Sequence, residues 1–142
     1  MEGEESKPLR ATGRCLCGAI TLAIHGPLRD VVVCHCGQCR RNHGAPPSYT
    51  AAAWADVRVH GDKNLTWYRS SPDARRGFCR ICGSSLFWEP MGSGRVSIAA
   101  GCLEKPTNLR TVRHIFVADK AGFYDIGDGL EQLPHSMMAH AR

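Results

Sequence analysis

The sequence lacks any apolar run that approaches the ~20 residues needed for a membrane-spanning helix. Its first residues, Met-Glu-Gly-Glu-Glu-Ser-Lys-Pro, are polar and acidic, unlike a secretory signal peptide. No stretch shows helical periodicity over twelve or more residues. These absences argue against a membrane protein, a secreted protein and a helical bundle. We therefore expect a cytoplasmic protein with no membrane partner.

The sequence also has no long run of charge of one sign. Its net charge is +5, and the basic residues are scattered apart from the short runs Arg40-Arg41 and Arg75-Arg76. A nucleic-acid-binding protein usually carries a basic stripe or tail, so a nucleic-acid partner is not expected. Scattered basic residues fit a solvated surface, and a few of them could bind an anionic small molecule.

Short β-favouring runs, separated by turn residues, recur along the chain. They cover residues 19–24, 31–33, 48–54, 57–60, 65–69, 85–88, 95–99 and 114–117. Such spacing predicts an all-β fold with antiparallel sheets and little helix. A length of 142 residues fits one domain. We expect a disordered leader over residues 1–11, one domain over residues 12–130 and a C-terminal tail over residues 131–142.

Eight cysteines stand out in a chain expected to stay in a reducing compartment, where thiols more often bind metals than form disulfides. Three of them, Cys34, Cys36 and Cys39, lie within six residues. Three sulfurs this close cannot all pair with one another, but they can all bind one metal ion, for which zinc is the usual candidate. Three protein ligands leave one tetrahedral position open, as in a catalytic zinc site.

Four other cysteines form two short-spaced pairs, each followed by glycine. Cys15 and Cys17 make the first pair, and Cys79 and Cys82 make the second. Together they predict a closed site for a structural zinc that joins segments about sixty residues apart. The prediction is thus two zinc ions per chain.

Some residues near these motifs have open roles. Cys102 lies on a glycine-flanked turn and is a candidate fourth ligand for the three-cysteine site, or else a small buried thiol. His35 and His43 are candidate hydrogen-bond partners of the ligands or proton shuttles. The three cysteines have two other interpretations, a redox-active thiol cluster without metal and a metal site that stays vacant.

The ordered motifs resemble the glutathione-dependent formaldehyde-activating family, which also includes centromere protein V. The resemblance covers residues 13–127 and rests on the segments 13–18, 34–40, 78–83 and 101–104, with His114-Ile115-Phe116 and Lys120-Ala121 later in the chain. Two positions differ from the usual pattern of the family. Cys102 and Glu104 replace a hydroxyl residue and an aspartate, and Phe123 lies where a tryptophan is common.

The resemblance implies a β-tent fold, built from antiparallel sheets around zinc. It also implies that Cys15, Cys17, Cys79 and Cys82 bind a structural zinc, and that Cys34, Cys36 and Cys39 bind the zinc where chemistry occurs. The reaction named for the family condenses formaldehyde with glutathione to S-(hydroxymethyl)glutathione and is classed as a carbon–sulfur lyase reaction. Glutathione would then be the cosubstrate.

Three arginines beside the cysteine motifs are candidates for binding the carboxylates of glutathione: Arg40, Arg41 and Arg76. A guanidinium group matches a carboxylate in shape and charge. Two other functions fit the same sequence. One is an enzyme that acts on another thiol adduct, aldehyde or imine. The other is a non-catalytic domain, stabilised by zinc, that carries glutathione or binds a protein.

Overall fold

The computed structural model describes residues 7–137 and is mostly β-structure with one α-helix. The strands are β1 Ala11–Arg14, β2 Thr21–Ile24, β3 Val31–Cys34, β4 Ser48–Ala53, β5 Val57–His60, β6 Leu65–Ser71, β7 Ala74–Cys79, β8 Ser85–Pro90, β9 Arg95–Ala99, β10 Thr111–Ile115 and β11 Glu131–Gln132. The helix, α1, spans Gly37–His43. The predicted fold class, all-β with little helix, is confirmed. No helix within residues 7–137 has both the length and the apolar character of a bilayer span.

The chain divides into two compact units. Unit 1 contains residues 1–29 and 50–108, and unit 2 contains residues 30–49 and 109–142. Strand β4 contributes its first two residues to unit 2 and the rest to unit 1. The predicted division into a leader, one domain and a tail stays a prediction. Within the predicted leader, Lys7 pairs with Asp56 at 2.6 Å, while residues 1–6 and 138–142 lie outside the described residues.

Unit 1 contains two sheets. The smaller has the order β1-β2-β5 and is antiparallel throughout. In the larger sheet, the strands follow the order β4-β9-β8-β7-β6. The pairs β6–β7, β7–β8 and β8–β9 are antiparallel. The alternating pattern of β2 directs Leu22 and Ile24 into the core. In the larger sheet, Phe87 is 1% exposed, and the rings of Trp54 and Trp67 pack against it.

Unit 2 has the strand order β11-β10-β3, and the start of β4 pairs with the other side of β3. All four residues of β3 are buried, as its continuous valine run leads one to expect. The sequence predicted antiparallel pairing throughout, but β10 runs parallel to both β3 and β11. The parallel register brings Ile115 opposite Cys34, so β10 ends where the cysteine motif begins.

One helix and three strands were not predicted from the sequence: α1, β1, β7 and β11. Two of them, α1 and β7, have a clear physical cause. Helix α1 occupies a segment that was predicted to be a loop. It begins because the Cys36 sulfur caps the Cys39 amide at 3.2 Å, and it ends at Gly44 in the left-handed conformation. The other is strand β7, whose sequence has no alternating pattern. It forms between β6 and β8, where Gly77 leaves room for the Trp67 and Phe87 rings.

Candidate metal centres

Two groups of cysteines are gathered in the described part of the chain. In each group, the sulfur atoms all lie within 4.8 Å of one another. The first group is Cys15, Cys17, Cys79 and Cys82, and the second is Cys34, Cys36 and Cys39. None of the eight cysteines forms a disulfide. The grouping from sequence spacing and the grouping in space are therefore the same.

The four-cysteine cluster lies in unit 1 and is built from two similar turns. In the first, Gly18 has a φ of 82° and donates its amide to the Cys15 carbonyl at 3.2 Å. In the second, Gly83 has a φ of 80° and donates to the Cys79 carbonyl at 2.8 Å. Glycine adopts this left-handed conformation without steric cost, which lets each turn bring its two sulfurs together.

Amide groups point at the sulfurs of the four-cysteine cluster. The Ile20 amide donates to Cys15 Sγ at 3.3 Å, and the Ile81 amide donates to Cys79 Sγ at 3.4 Å. The Ser84 hydroxyl lies 3.2 Å from Cys82 Sγ, and together with the backbone amides of Ser84 and Cys17 it lowers the pKa of that thiol to about 5. Donors directed at sulfur favour the thiolate, which is the form that binds metal. Four thiolates are enough to fill the coordination sphere of a tetrahedral zinc ion, so this cluster fits a closed zinc site.

The three-cysteine cluster lies in unit 2, on one continuous segment. Cys34 is the last residue of β3, Cys36 is the N-cap of α1, and Cys39 lies in the first turn of the helix. The Cys34 amide donates to the Pro47 carbonyl at 3.1 Å. The end of a strand and the start of a helix thus hold the three sulfurs together.

Ionisation within this cluster is unequal. Hydrogen bonds from Cys34 and Cys39 place the pKa of Cys36 well below its usual range, with further help from the Cys39 and Gln38 amides and against the effect of burial. Conversely, its hydrogen bonds to Cys36 and Cys39 raise the pKa of Cys34. Of the three thiols, Cys36 is thus the most favoured as a thiolate, and a dication would stabilise the thiolate form of all three. Three soft donors fit zinc with one coordination position left for another ligand.

Cys102 lies in unit 1, at the end of a short 3₁₀ turn after β9. Burial raises its pKa to about 12, and the charges of Cys15 and Glu104 add to this effect. Strand β1 passes so close to the turn that a Cβ on Gly13 would lie 2.7 Å from the Cys102 carbonyl oxygen. The role of Cys102 as a fourth ligand stays a prediction.

The three candidate arginines have different surroundings. Arg40 and Arg41 lie on α1, next to the three-cysteine cluster in sequence, and Arg41 is exposed. The Nε atom of Arg40 is buried and makes no hydrogen bond within the described residues. Arg76 lies in the middle of β7 in unit 1 and is 4% exposed. Their role in substrate binding stays a prediction.

The two candidate histidines have well-defined partners. His43 Nε2 lies 2.8 Å from the Tyr49 hydroxyl. His35 Nε2 lies 2.8 Å from Nδ1 of His114, and His114 Nε2 lies 2.8 Å from a carboxylate oxygen of Asp128. In the sequence, His114 belongs to one of the later motifs, and Asp128 carries no signal of a functional role. A histidine inside a β-strand at the motif His114-Ile115-Phe116 was the one signal that could have pointed to this chain of contacts.

Electrostatic effects follow from these contacts. Burial lowers the pKa of His35, and the nearby His114 and Lys120 lower it further, so its ring is neutral at pH 7. The hydrogen bond from His114 holds the pKa of Asp128 below its usual range, with help from the Leu130 amide. The carboxylate of Asp128 is therefore ionised and acts as a hydrogen-bond acceptor.

The fold and the two cysteine groups define a small, mostly β protein that could bind metal at two sites. A sequence profile described as the glutathione-dependent formaldehyde-activating enzyme matches residues 10–119. The chain belongs to that family, and the resemblance noted from its motifs is confirmed.

Two individual proteins are also similar to this chain. A Schizosaccharomyces pombe protein named as an uncharacterized lyase is 28% identical over 117 residues, which cover 82% of this chain and 85% of that protein. A crystal structure of a Rhodobacter sphaeroides protein matches with a TM-score of 0.58 and 24% identity, covering 86% of this chain and 98% of that one. The similarity to the Rhodobacter sphaeroides structure shows the fold alone. The family and the lyase name together support an enzyme of this family's general type.

Proposed function

We propose that this protein is a zinc-dependent carbon–sulfur lyase-type enzyme of the cytoplasm that acts on glutathione and formaldehyde and forms S-(hydroxymethyl)glutathione. The observation that carries the proposal is the three-cysteine cluster of unit 2, whose donor set leaves one coordination position for a substrate. Family membership supports this choice of substrates. The four-cysteine cluster would bind a second, structural zinc.

Cys34, Cys36 and Cys39 would hold the zinc at the reaction site. Zinc bound there supplies Lewis-acid stabilisation, which lowers the pKa of a thiol placed in the open position. In the reaction, the glutathione sulfur forms a bond to the formaldehyde carbon, and the π electron pair of the carbonyl moves to its oxygen. The thiol proton ends on that oxygen, so no oxidant or reductant is required.

Arg40 and Arg41 would bind a carboxylate of glutathione. They follow Cys39 directly on α1, so a substrate whose sulfur lies at the cluster would have its charged groups near this helix. The buried Nε of Arg40 retains a donor for such a carboxylate. A bound carboxylate would orient the substrate and reduce the loss of entropy in the chemical step.

A direct test follows the exchange between ¹³C-formaldehyde and its glutathione adduct by NMR. The adduct also forms without an enzyme, so the exchange rate with protein is compared with the uncatalysed rate. Zinc-loaded protein should raise the exchange rate, and Cys36→Ser should return it to the uncatalysed value. Asp125→Ala is the control, because Asp125 is exposed and belongs to neither cysteine cluster. An unchanged exchange rate with the wild-type protein would refute the proposal. Turnover of another aldehyde or an imine under the same conditions would then favour a different substrate, and thiol binding without turnover would favour a carrier.

A further inference from the structure

A chain of three side chains connects the surface of unit 2 to the middle of the three-cysteine segment. The chain runs from Asp128 through His114 to His35, with a separation of 2.8 Å at each of the two contacts. Both imidazoles are almost fully buried, with 2% of His35 and 1% of His114 exposed. The Asp128 side chain, in contrast, is 46% exposed. His35 lies between Cys34 and Cys36 in sequence, so the chain ends on the segment that carries the three cysteines.

The direction of each hydrogen bond follows from the carboxylate. An ionised Asp128 can only accept, so His114 must carry its proton on Nε2. At the contact between His35 Nε2 and His114 Nδ1, one ring must donate and the other accept. When His114 uses its single ring proton to bind Asp128, its Nδ1 accepts and His35 Nε2 donates. The carboxylate can thus set the direction of the hydrogen bonds of both buried rings.

The backbone builds this arrangement from distant segments. His114 reaches His35 because β10 pairs in parallel with β3, and the His35 amide donates to the Ile115 carbonyl at 2.9 Å. Directly after β10, Phe116 has a φ of 56°, a conformation that costs a bulky residue free energy. The chain turns there and continues towards the loop that carries Asp128.

Two further residues of this loop restrict the His35 ring. The Tyr124 ring packs edge-on against His35, with 5.0 Å between ring centroids. Lys120 Nζ donates to the Tyr124 carbonyl at 2.5 Å, which ties the loop together beside that ring. The His35 ring is therefore held by a hydrogen bond along its plane and by an aromatic contact on its side.

We propose that Asp128 and His114 are positioning residues that fix the tautomer and orientation of His35 and thereby hold the Cys34–Cys36 segment in the geometry that binds metal. The proposal rests on the metal-binding part of the proposed function and deepens it. It assigns a role to a surface carboxylate that touches neither cysteine nor substrate. Buried hydrogen-bond partners of this kind commonly change metal affinity by about 10–100-fold when removed.

The experiment compares three variants of the full chain. Asp128→Ala removes the anchoring acceptor, and Asp128→Asn keeps an acceptor oxygen without the charge. Asp125→Ala is the matched control, since Asp125 is exposed on the same loop. Histidine tautomers are measured by long-range ¹H–¹⁵N NMR on ¹⁵N-histidine-labelled protein. The affinity of the three-cysteine cluster for Co²⁺ is measured by competition with a chelator, using the thiolate-to-cobalt absorption band.

In the wild type, both His35 and His114 should be protonated on Nε2. Asp128→Ala should lose this single tautomer at His35 and bind Co²⁺ about 10-fold more weakly at the three-cysteine cluster. Asp128→Asn should show a smaller loss, and Asp125→Ala should match the wild type. The proposal is overturned if Asp128→Ala matches Asp125→Ala in either measurement, if wild-type His35 is protonated on Nδ1, or if the wild-type cluster binds no Co²⁺. Neither readout uses turnover, so an absence of formaldehyde chemistry would leave this test intact.

Discussion

The two cysteine clusters present the same ligand chemistry but assemble it over very different lengths of chain. In the four-cysteine cluster of unit 1, the sulfurs of Cys17 and Cys79 lie 3.8 Å apart although 62 positions separate them in sequence. In the three-cysteine cluster of unit 2, all ligands come from one segment between β3 and α1. The first cluster can form only when unit 1 folds, whereas the second needs only a local turn and its supports.

This difference assigns different physical roles to the two sites. A metal that closes a long loop contributes its binding free energy to folding, because the unfolded chain holds its ligands far apart. A metal bound to one short segment changes the folding equilibrium less, and its open position leaves it available for a ligand.

The largest effect is expected from breaking the long-range cluster. Cys79→Ser removes a fully buried ligand, and we expect the melting temperature to fall by more than about 10 °C, or folding to fail at 37 °C. Thermal unfolding followed by circular dichroism measures the change. Cys36→Ser is the control, since it removes one ligand from the other cluster. Equal destabilisation by both variants would contradict the division into a structural and a reactive site.

Cys36→Ser should instead remove function while the fold persists. We expect its melting temperature to stay within about 5 °C of the wild type, its metal content to fall from two ions to one and its thiol–aldehyde turnover to drop to the uncatalysed rate. Elemental analysis of protein purified under reducing conditions gives the metal count. Two ions retained in this variant would mean that a serine oxygen or another group replaces the sulfur.

Removal of metal by a chelator should separate the clusters more finely. The ion of the three-cysteine cluster should leave first, because it has fewer protein ligands and an open coordination position. A titration with EDTA, monitored by released zinc and by circular dichroism, should show a first loss without unfolding and a second loss with it. The Cys36→Ser variant should show only the second step. A single step for the wild type, with unfolding throughout, would argue against two sites of different kinds.

Short spacing along the chain limits the distance within each cysteine pair and within the Cys34, Cys36 and Cys39 motif. The sequence predicted the grouping because two such pairs supply the four ligands of one closed site. It also predicted most strands, since runs such as Val31-Val32-Val33 bury both faces. Helix α1 was missed because it has only seven residues and takes its cap from a cysteine that spacing assigned to metal. Strand β7 was missed because its partners β6 and β8, more than its own residues, impose the extended conformation.

The contacts around His35 could not be predicted from the sequence. His35 and His114 are 79 positions apart, and they meet only because β10 pairs in parallel with β3. Neither strand carries a signal for its partner or for the direction of pairing. The left-handed residue after β10 is Phe116, a residue type that does not normally mark such a turn. The ligands of a site can therefore be found from spacing, while the residues that orient them require the fold.

The smallest effect is expected at Cys102, which tests whether the three-cysteine cluster is open. Burial raises the pKa of this thiol to about 12, so it is neutral at pH 7 and behaves as a small, weakly polar side chain. Because serine is similar in size, we expect Cys102→Ser to retain both metal ions and to lose no more than about 1 kcal/mol of stability. Glutathione binding, measured by calorimetry, should be unchanged or tighter. If this variant kept its fold but lost the metal of the three-cysteine cluster, Cys102 would be the fourth ligand. A substrate thiol would then have to displace a protein thiolate, and the contrast between the two clusters would disappear, because each would join four thiolates from distant parts of the sequence.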